Sequence, residues 1–359
     1  MSDSLKKSIT RVYSPGIMQE LINKSVLFHN ALLQKPKINE NIIVDILSST
    51  NNEERQIIRD NYKGIFKYPI QNDINSKISD NNIFREIVLN MFDTPYEYDA
   101  RELKKAFSGV IEKNENIINE FFVTRPKHYL EMIDCAYKNF YEISLREELQ
   151  NNLTKEYSEF LLCLMDSERA SEQTISKKEA YEIVKDLIKN GIKTYASDLN
   201  SFKNLFVLKS RKDLILISRA YYELEKKNLY DDILEECFDE KDLNNNKQER
   251  KEINKNIRLI KDILFGVITP AQFFAKKCSE VLKDETSDIN SLIRILISRA
   301  EIDIKVLRDY YYKETKNDIK KDIKNHNNIK KNEILSAILI CHIIIYKQIK
   351  TIIIHYNSY

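Results

Sequence analysis

Apolar residues return at helical spacing through most of the chain, and several helical runs stop at one polar pair before resuming. In "LIRILISRAEIDIKVLRDYY", Leu292 to Tyr311, the residues Ile293, Leu296 and Ile297 share a helical face. The run breaks at Ser298-Arg299, and Ile304, Leu307 and Tyr311 open a second face. This predicts helix, short break, helix. Ser298, like Thr124 at the equivalent break, is expected to end one helix and help begin the next, because a hydroxyl accepts from free backbone N–H groups. Glu301 and Asp303 are expected to sit at the positive N-terminal end of that helix.

The break recurs. "IINEFFVTRPKHYLEMIDCAY" carries it at Thr124-Arg125, and "FKNLFVLKSRKDLILISRAYY" at Ser210-Arg211, so Arg125, Arg211 and Arg299 are spaced by 86 and 88 residues. A fourth copy, "NIIVDILSSTNNEERQIIRDNY", has Thr50 in place of the arginine. Four copies of a long unit predict a repeat architecture, each copy one helical package.

Composition agrees with helices. A chain of 359 residues holds only 5 Gly and 6 Pro, too few turn residues for a large β-sheet protein. With 42% hydrophobic and 31% charged residues, a sizeable core forms. Net charge is +2, and neither a long basic run nor an aromatic nucleic-acid motif is present, so no nucleic-acid partner is expected. Five scattered cysteines without CxxC spacing read as reduced thiols of an intracellular protein. The N-terminal stretch lacks the apolar region of a secretory signal. "ILSAILICHIIIYKQIKTIII", Ile334 to Ile354, is interrupted by His342, Lys347, Gln348 and Lys350. It reads as a buried terminal helix, with membrane insertion the alternative. No HExxH, P-loop or GxGxxG is present, and the five histidines lack catalytic partners, so no enzyme is expected.

"SLIRILISRAEIDIKVLRDYYYKE", "NIIVDILSSTNNEERQIIRDNYKGIF" and "YEYDARELKKAF" resemble segments of the fourth, first and second repeats of annexins, including divergent protist members such as the alpha-giardins. The resemblance implies an all-α fold of four repeats, about five helices each, forming a curved disk. It places a tail at 1–14, repeats at 15–93, 94–168, 169–268 and 269–345, and an extension at 346–359. The third repeat carries a polar insertion at 239–256. The resemblance also implies ion pairs between repeats, built from Asp99, Glu102, Glu120, Arg125 and Arg299, with Asp99–Arg125 and Glu120–Arg299 as the expected contacts. A buried charge without its partner costs several kcal/mol, which makes a structural role the natural one.

Annexins hold calcium with a glycine-rich loop and a carboxylate about 40 residues on. Calcium takes 6–8 oxygens, and a bidentate carboxylate supplies two of them. At the matching positions this chain has Lys35 and Lys37 in the first loop, Glu112 in the second, and Asp284 and Thr286 in the fourth. The carboxylate positions hold Lys77, Asn152 and His326. Only the third repeat keeps an acidic group, Asp239, Glu240 and Asp242 opposite Asp198, which reads either as a weak calcium site or as a solvated insertion. The basic replacements Lys35, Lys37, Lys77 and Lys155, with Lys330 and Lys331, are expected to face anionic lipid.

Three functions follow. The first is a cytoplasmic, peripheral phospholipid-binding scaffold whose calcium dependence is weak or lost. The second is a cytoskeleton-associated structural protein that does not bind lipid. The third is a polar ion pathway.

Overall fold

The computed structural model describes residues 13–79, 83–109, 114–238, 247–283 and 289–326. Among them all regular structure is helical. The first copy contains α1 (Pro15–Leu33), α2 (Glu40–Ser48), α3 (Asn52–Phe66), α4 (Ile70–Lys77) and α5 (Ile83–Met91). The second contains α6 (Pro95–Phe107), α7 (Glu115–Thr124), α8 (Lys127–Tyr141), α9 (Leu145–Asn152) and α10 (Lys155–Asp166). The third contains α11 (Lys177–Asn190), α12 (Ile192–Ser197), α13 (Leu199–Phe202) with a π turn at Lys203–Val207, α14 (Arg211–Glu225), α15 (Leu229–Phe238) and α16 (Lys247–Ile268). The fourth shows α17 (Pro270–Lys283), α18 (Ile289–Arg299), α19 (Ile304–Thr315) and α20 (Ile319–Asn325).

The helices α3, α8, α14 and α19 correspond between the copies, and local chemistry sets several of their ends. Asn51 with Glu54 and Ser210 with Asp213 form reciprocal capping boxes at the starts of α3 and α14. Helices α3, α8 and α14 end on Lys67, Glu142 and Lys226, all with positive φ, and Lys316 takes the same conformation just after α19. Four non-glycine residues in this costly region mark one recurring helix end.

The chain groups into two compact units. One comprises residues 1–95, 280–305 and 316–359; the other comprises 96–279 and 306–315. In the first unit α1 packs on α2, α3 and α4, burying Phe28, Ile58, Tyr62 and Ile74. The Phe28 and Phe92 rings meet edge-on at 5.1 Å between centroids. The second unit has one continuous core, from Ala100 to Leu264, in which α16 packs against α7, α10, α12, α14 and α15. Gly266 permits a close approach of α16 to α7. A Cβ there would stand 2.7 Å from Val123 Cγ1.

The helical junctions differ in detail from the expectation. Thr124 Oγ1 donates back to Glu120 O at 2.6 Å, and Ser298 Oγ donates to Ile295 O at 3.2 Å, so both hydroxyls bond into the helix they end. Arg299 binds Asp303 four residues on, through Nε at 2.8 Å. Glu301 does cap a helix, but that helix is α3: its Oε1 accepts from Asn52 N at 2.8 Å and from Arg55 at 3.0 Å. A carboxylate at a helix N-terminus satisfies a free N–H and the helix dipole together.

The register of the third copy also shifts. Arg125 lies two residues before α8, whereas Arg211 is the first residue of α14, so Lys209 is in register with Arg125. The polar run assigned to an insertion through residue 256 is already helical from Lys247. Ile257 is fully buried, and Asn256 donates to Ala196 O at 2.8 Å, giving that part of α16 an inward face.

Candidate functional site

The first repeat holds the fullest described set of loop positions. Loop 34–39 is closed by Asn39 N–H donating to Ala31 O at 2.8 Å, and Asn39 caps α2 through Ile42 N–H. The second repeat repeats this closure. Asn114 N–H donates to Ala106 O at 3.1 Å, and Asn114 caps α7 through Ile117 N–H. Both loops keep one closing frame while their side chains differ.

The third repeat departs from it. Its first helix breaks at Gly191, whose φ of +73° suits glycine, and continues as α12. Asp198 is the single residue between α12 and α13. Its Oδ2 accepts from Ser201 N–H at 2.7 Å, and this hydrogen bonding holds its pKa below the ordinary value. Asp198 is thus a helix cap with no run of loop carbonyls beside it. Asp239, Glu240 and Asp242 lie outside the described residues, as do Glu112, Asp284, Thr286, Lys330, Lys331 and the Ile-rich stretch 334–354.

Beneath the first loop is a polar cluster that sequence patterning did not single out. His29 Nδ1 lies 2.8 Å from Tyr62 Oη and 3.1 Å from Asp73 Oδ2. Tyr62 and Tyr68 both donate to the same Asp73 oxygen. Burial, then the Asp73 hydrogen bond and charge, push the Tyr62 phenol well above its ordinary pKa. The His29 ring also stacks on Phe66, with centroids 3.8 Å apart. In the second repeat Lys104 and Glu148 take the corresponding places, 3.1 Å apart, with Lys104 over the Tyr141 ring. A signal for these clusters exists in the sequence, namely a Tyr followed eleven residues on by an acid: Tyr62/Asp73, Tyr137/Glu148, Tyr221/Asp232 and Tyr311/Asp322.

His29 and Asp73 each lie four residues before the end of their helix, α1 and α4. Leu33 and Lys77 therefore lie within about 6 Å, one helical turn, of a shared contact, and Lys35 and Lys37 follow directly on the first. The side chains of Lys35, Lys37 and Lys77 are exposed, as is that of Lys155 at the start of α10. None of these four ammonium groups has a hydrogen-bond or carboxylate partner among the described residues. Many other lysines do, for example Lys104 with Glu148 and Lys277 with Glu120.

These donors do not fit calcium. The first repeat offers ammonium groups where carboxylates and small loop residues are needed. In the second, Asn152 Nδ2 donates to Glu148 O at 3.0 Å, and an amide brings no charge. In the fourth, His326 is 4% exposed, and neither ring nitrogen has a hydrogen-bond partner among the described residues. Among the described residues no group of three or more His, Cys, Asp or Glu is placed to hold a metal ion. No helix among them is long and apolar enough to cross a membrane.

The charged residues expected between repeats are largely buried. Arg125 Nε donates to Asp99 Oδ2 at 2.8 Å, both nearly inaccessible. Burial works against the Arg125 charge, but Asp99 outweighs it and the pKa rises. Glu120 and Arg299 belong to different units. Within its own unit Glu120 accepts from Lys277 at 2.9 Å, and Arg299 pairs with Asp303. Glu102 accepts from Lys105, three residues on, at 2.9 Å.

An all-α repeat protein with paired loops above buried polar clusters is the class these features define. A family model described as Annexin matches residues 29–90 and 273–328, which hold most of the first and fourth repeats; the second and third lie outside both segments. Annexin A13 of Mus musculus is 28% identical over 298 residues, covering 79% of this chain and 87% of that protein. Annexin A3 of Homo sapiens is 24% identical over 306 residues, covering 84% and 85%. The solved structure of annexin III superposes with a TM-score of 0.75 at 22% identity, covering 92% of this chain and 94% of that one. Calcium-bound alpha-1 giardin gives 0.68 at 14% identity, covering 91% and 99%. The chain is similar to annexins over most of its length, and its fold is the all-α annexin repeat fold.

Proposed function

We propose that this protein attaches peripherally to anionic phospholipid surfaces without depending on calcium, through the basic loops of its first repeat, and serves there as a cytoplasmic scaffold. The supporting observation is the set of exposed ammonium groups of Lys35, Lys37 and Lys77 around the ends of α1 and α4, which have no partner among the described residues. In annexins, these positions serve calcium. A lysine supplies the positive charge that a bound ion would otherwise bring to the phosphate. Each basic residue near an anionic leaflet contributes about 1 kcal/mol, so three give about 3 kcal/mol, roughly a hundredfold gain over a neutral surface. Such attachment falls as salt rises, because exposed charges are screened beyond a Debye length of about 8 Å at physiological ionic strength.

Co-sedimentation with phosphatidylserine vesicles, in calcium and in chelator and at low and high salt, tests this. Pelleting in chelator that weakens with salt supports it. Pelleting only with calcium would return the ion to the scheme and point to the acidic residues of the third repeat, Asp198, Asp239, Glu240 and Asp242. No pelleting in any condition would favour a scaffold bound to cytoskeletal filaments, to be tested by filament co-sedimentation.

A further inference from the structure

The lysines alone make a weak anchor. A gain of about a hundredfold is marginal, and stable peripheral attachment generally combines charge with an apolar contribution. The first repeat offers one. Leu33, the last residue of α1, is 45% exposed, and it immediately precedes the loop that carries Lys35 and Lys37. The loop from Gln34 to Asn39 contains no acid; Glu40 is the first carboxylate after it, and Asp73, one turn below, is buried and already engaged by Tyr62, Tyr68 and His29. An exposed leucine is ordinary on its own. Here it stands at the end of α1, with Lys35 and Lys37 in the loop that follows and Lys77 at the end of α4. These three cations have no partner among the described residues, and the arrangement matches the boundary between acyl chains and anionic headgroups.

We infer that Leu33 inserts into the acyl boundary of an anionic bilayer while Lys35, Lys37 and Lys77 hold the surrounding phosphates. This rests on the lipid-binding reading above and adds a specific apolar element to it. Neutral headgroups would engage Leu33 but not the lysines, so charge and insertion separate experimentally.

The chain contains no tryptophan, so a single introduced indole reports its own surroundings. In Leu33→Trp, mixed with phosphatidylserine vesicles in chelator, the emission should shift to the blue. Lipids brominated near the acyl boundary should quench it. Leu224→Trp, at a similarly exposed position on α14, should show neither change. Leu33→Asn should lower vesicle partitioning about tenfold and abolish the part that survives high salt. Pelleting without a blue shift or quenching at position 33 would overturn insertion while leaving charge-based attachment intact. Equal changes at 33 and 224 would overturn it as non-specific adsorption. Absence of pelleting for the unmodified protein would overturn both.

Discussion

Tyr62 donates its phenolic hydrogen to Asp73 eleven residues away, tying α3 to α4. Tyr221 and Asp232 make the same bond between α14 and α15. In the first repeat this bond anchors the short helix that ends in Lys77. Tyr62→Phe deletes one donor to a buried carboxylate, which Tyr68 and His29 still contact. A loss of about 1–2 kcal/mol in urea unfolding is expected. A change below about 0.3 kcal/mol would show that the bond contributes nothing to the fold.

The helix ends in the left-handed conformation make an opposite prediction. Glu142 has φ 61° and places an acid at the negative end of α8, which is unfavourable on both counts. Glu142→Gly is expected to stabilise by about 1 kcal/mol. Lys67→Gly should gain less, because it removes a cation well placed at the end of α3. Thermal unfolding of the two variants checks the order.

Arg125 and Asp99 form a buried pair in the second unit. Arg125→Met leaves the Asp99 carboxylate uncompensated and should cost about 3–5 kcal/mol. Adding Asp99→Asn should recover part of that loss, a non-additivity that a double-mutant cycle measures. Additive effects would mean that the two do not act as a pair.

Acid stability has a specific contributor in Asp213. Burial opposes its ionisation, but hydrogen bonds from Ser210 and Thr174 outweigh it and hold its pKa at about 2. The folded value lies below the unfolded one, near 3.9, so ionised Asp213 stabilises the fold above pH 4. That contribution, about 2 kcal/mol, disappears as pH falls from about 4 to 2. Asp213→Asn should flatten the stability curve over that window and lower stability at neutral pH.

The helical repeats were legible because apolar spacing is local, and Asp99 with Arg125 was legible from the family pattern. Glu301 shows where such reading stops. Its acid position suggested a cap for the following helix, whereas its carboxylate reaches Asn52 and Arg55, nearly 250 residues away in sequence. Long-range pairing of this kind leaves no periodic trace. The contraction of the third loop to Asp198 was equally hidden, because a helix broken at Gly191 and resumed at Ile192 shows the same apolar spacing as a continuous one. The Tyr–acid spacing was present in all four copies, yet it emerges only once a bond gives the interval meaning.

Lys35→Glu/Lys37→Glu/Lys77→Glu, compared with the unmodified protein for co-sedimentation on phosphatidylserine vesicles in chelator, is the most direct test of calcium-independent attachment through the first repeat. The unmodified protein should pellet and the triple variant should remain in solution with unchanged thermal unfolding. Equal pelleting of the two, or pelleting of the unmodified protein only when calcium is added, would contradict it.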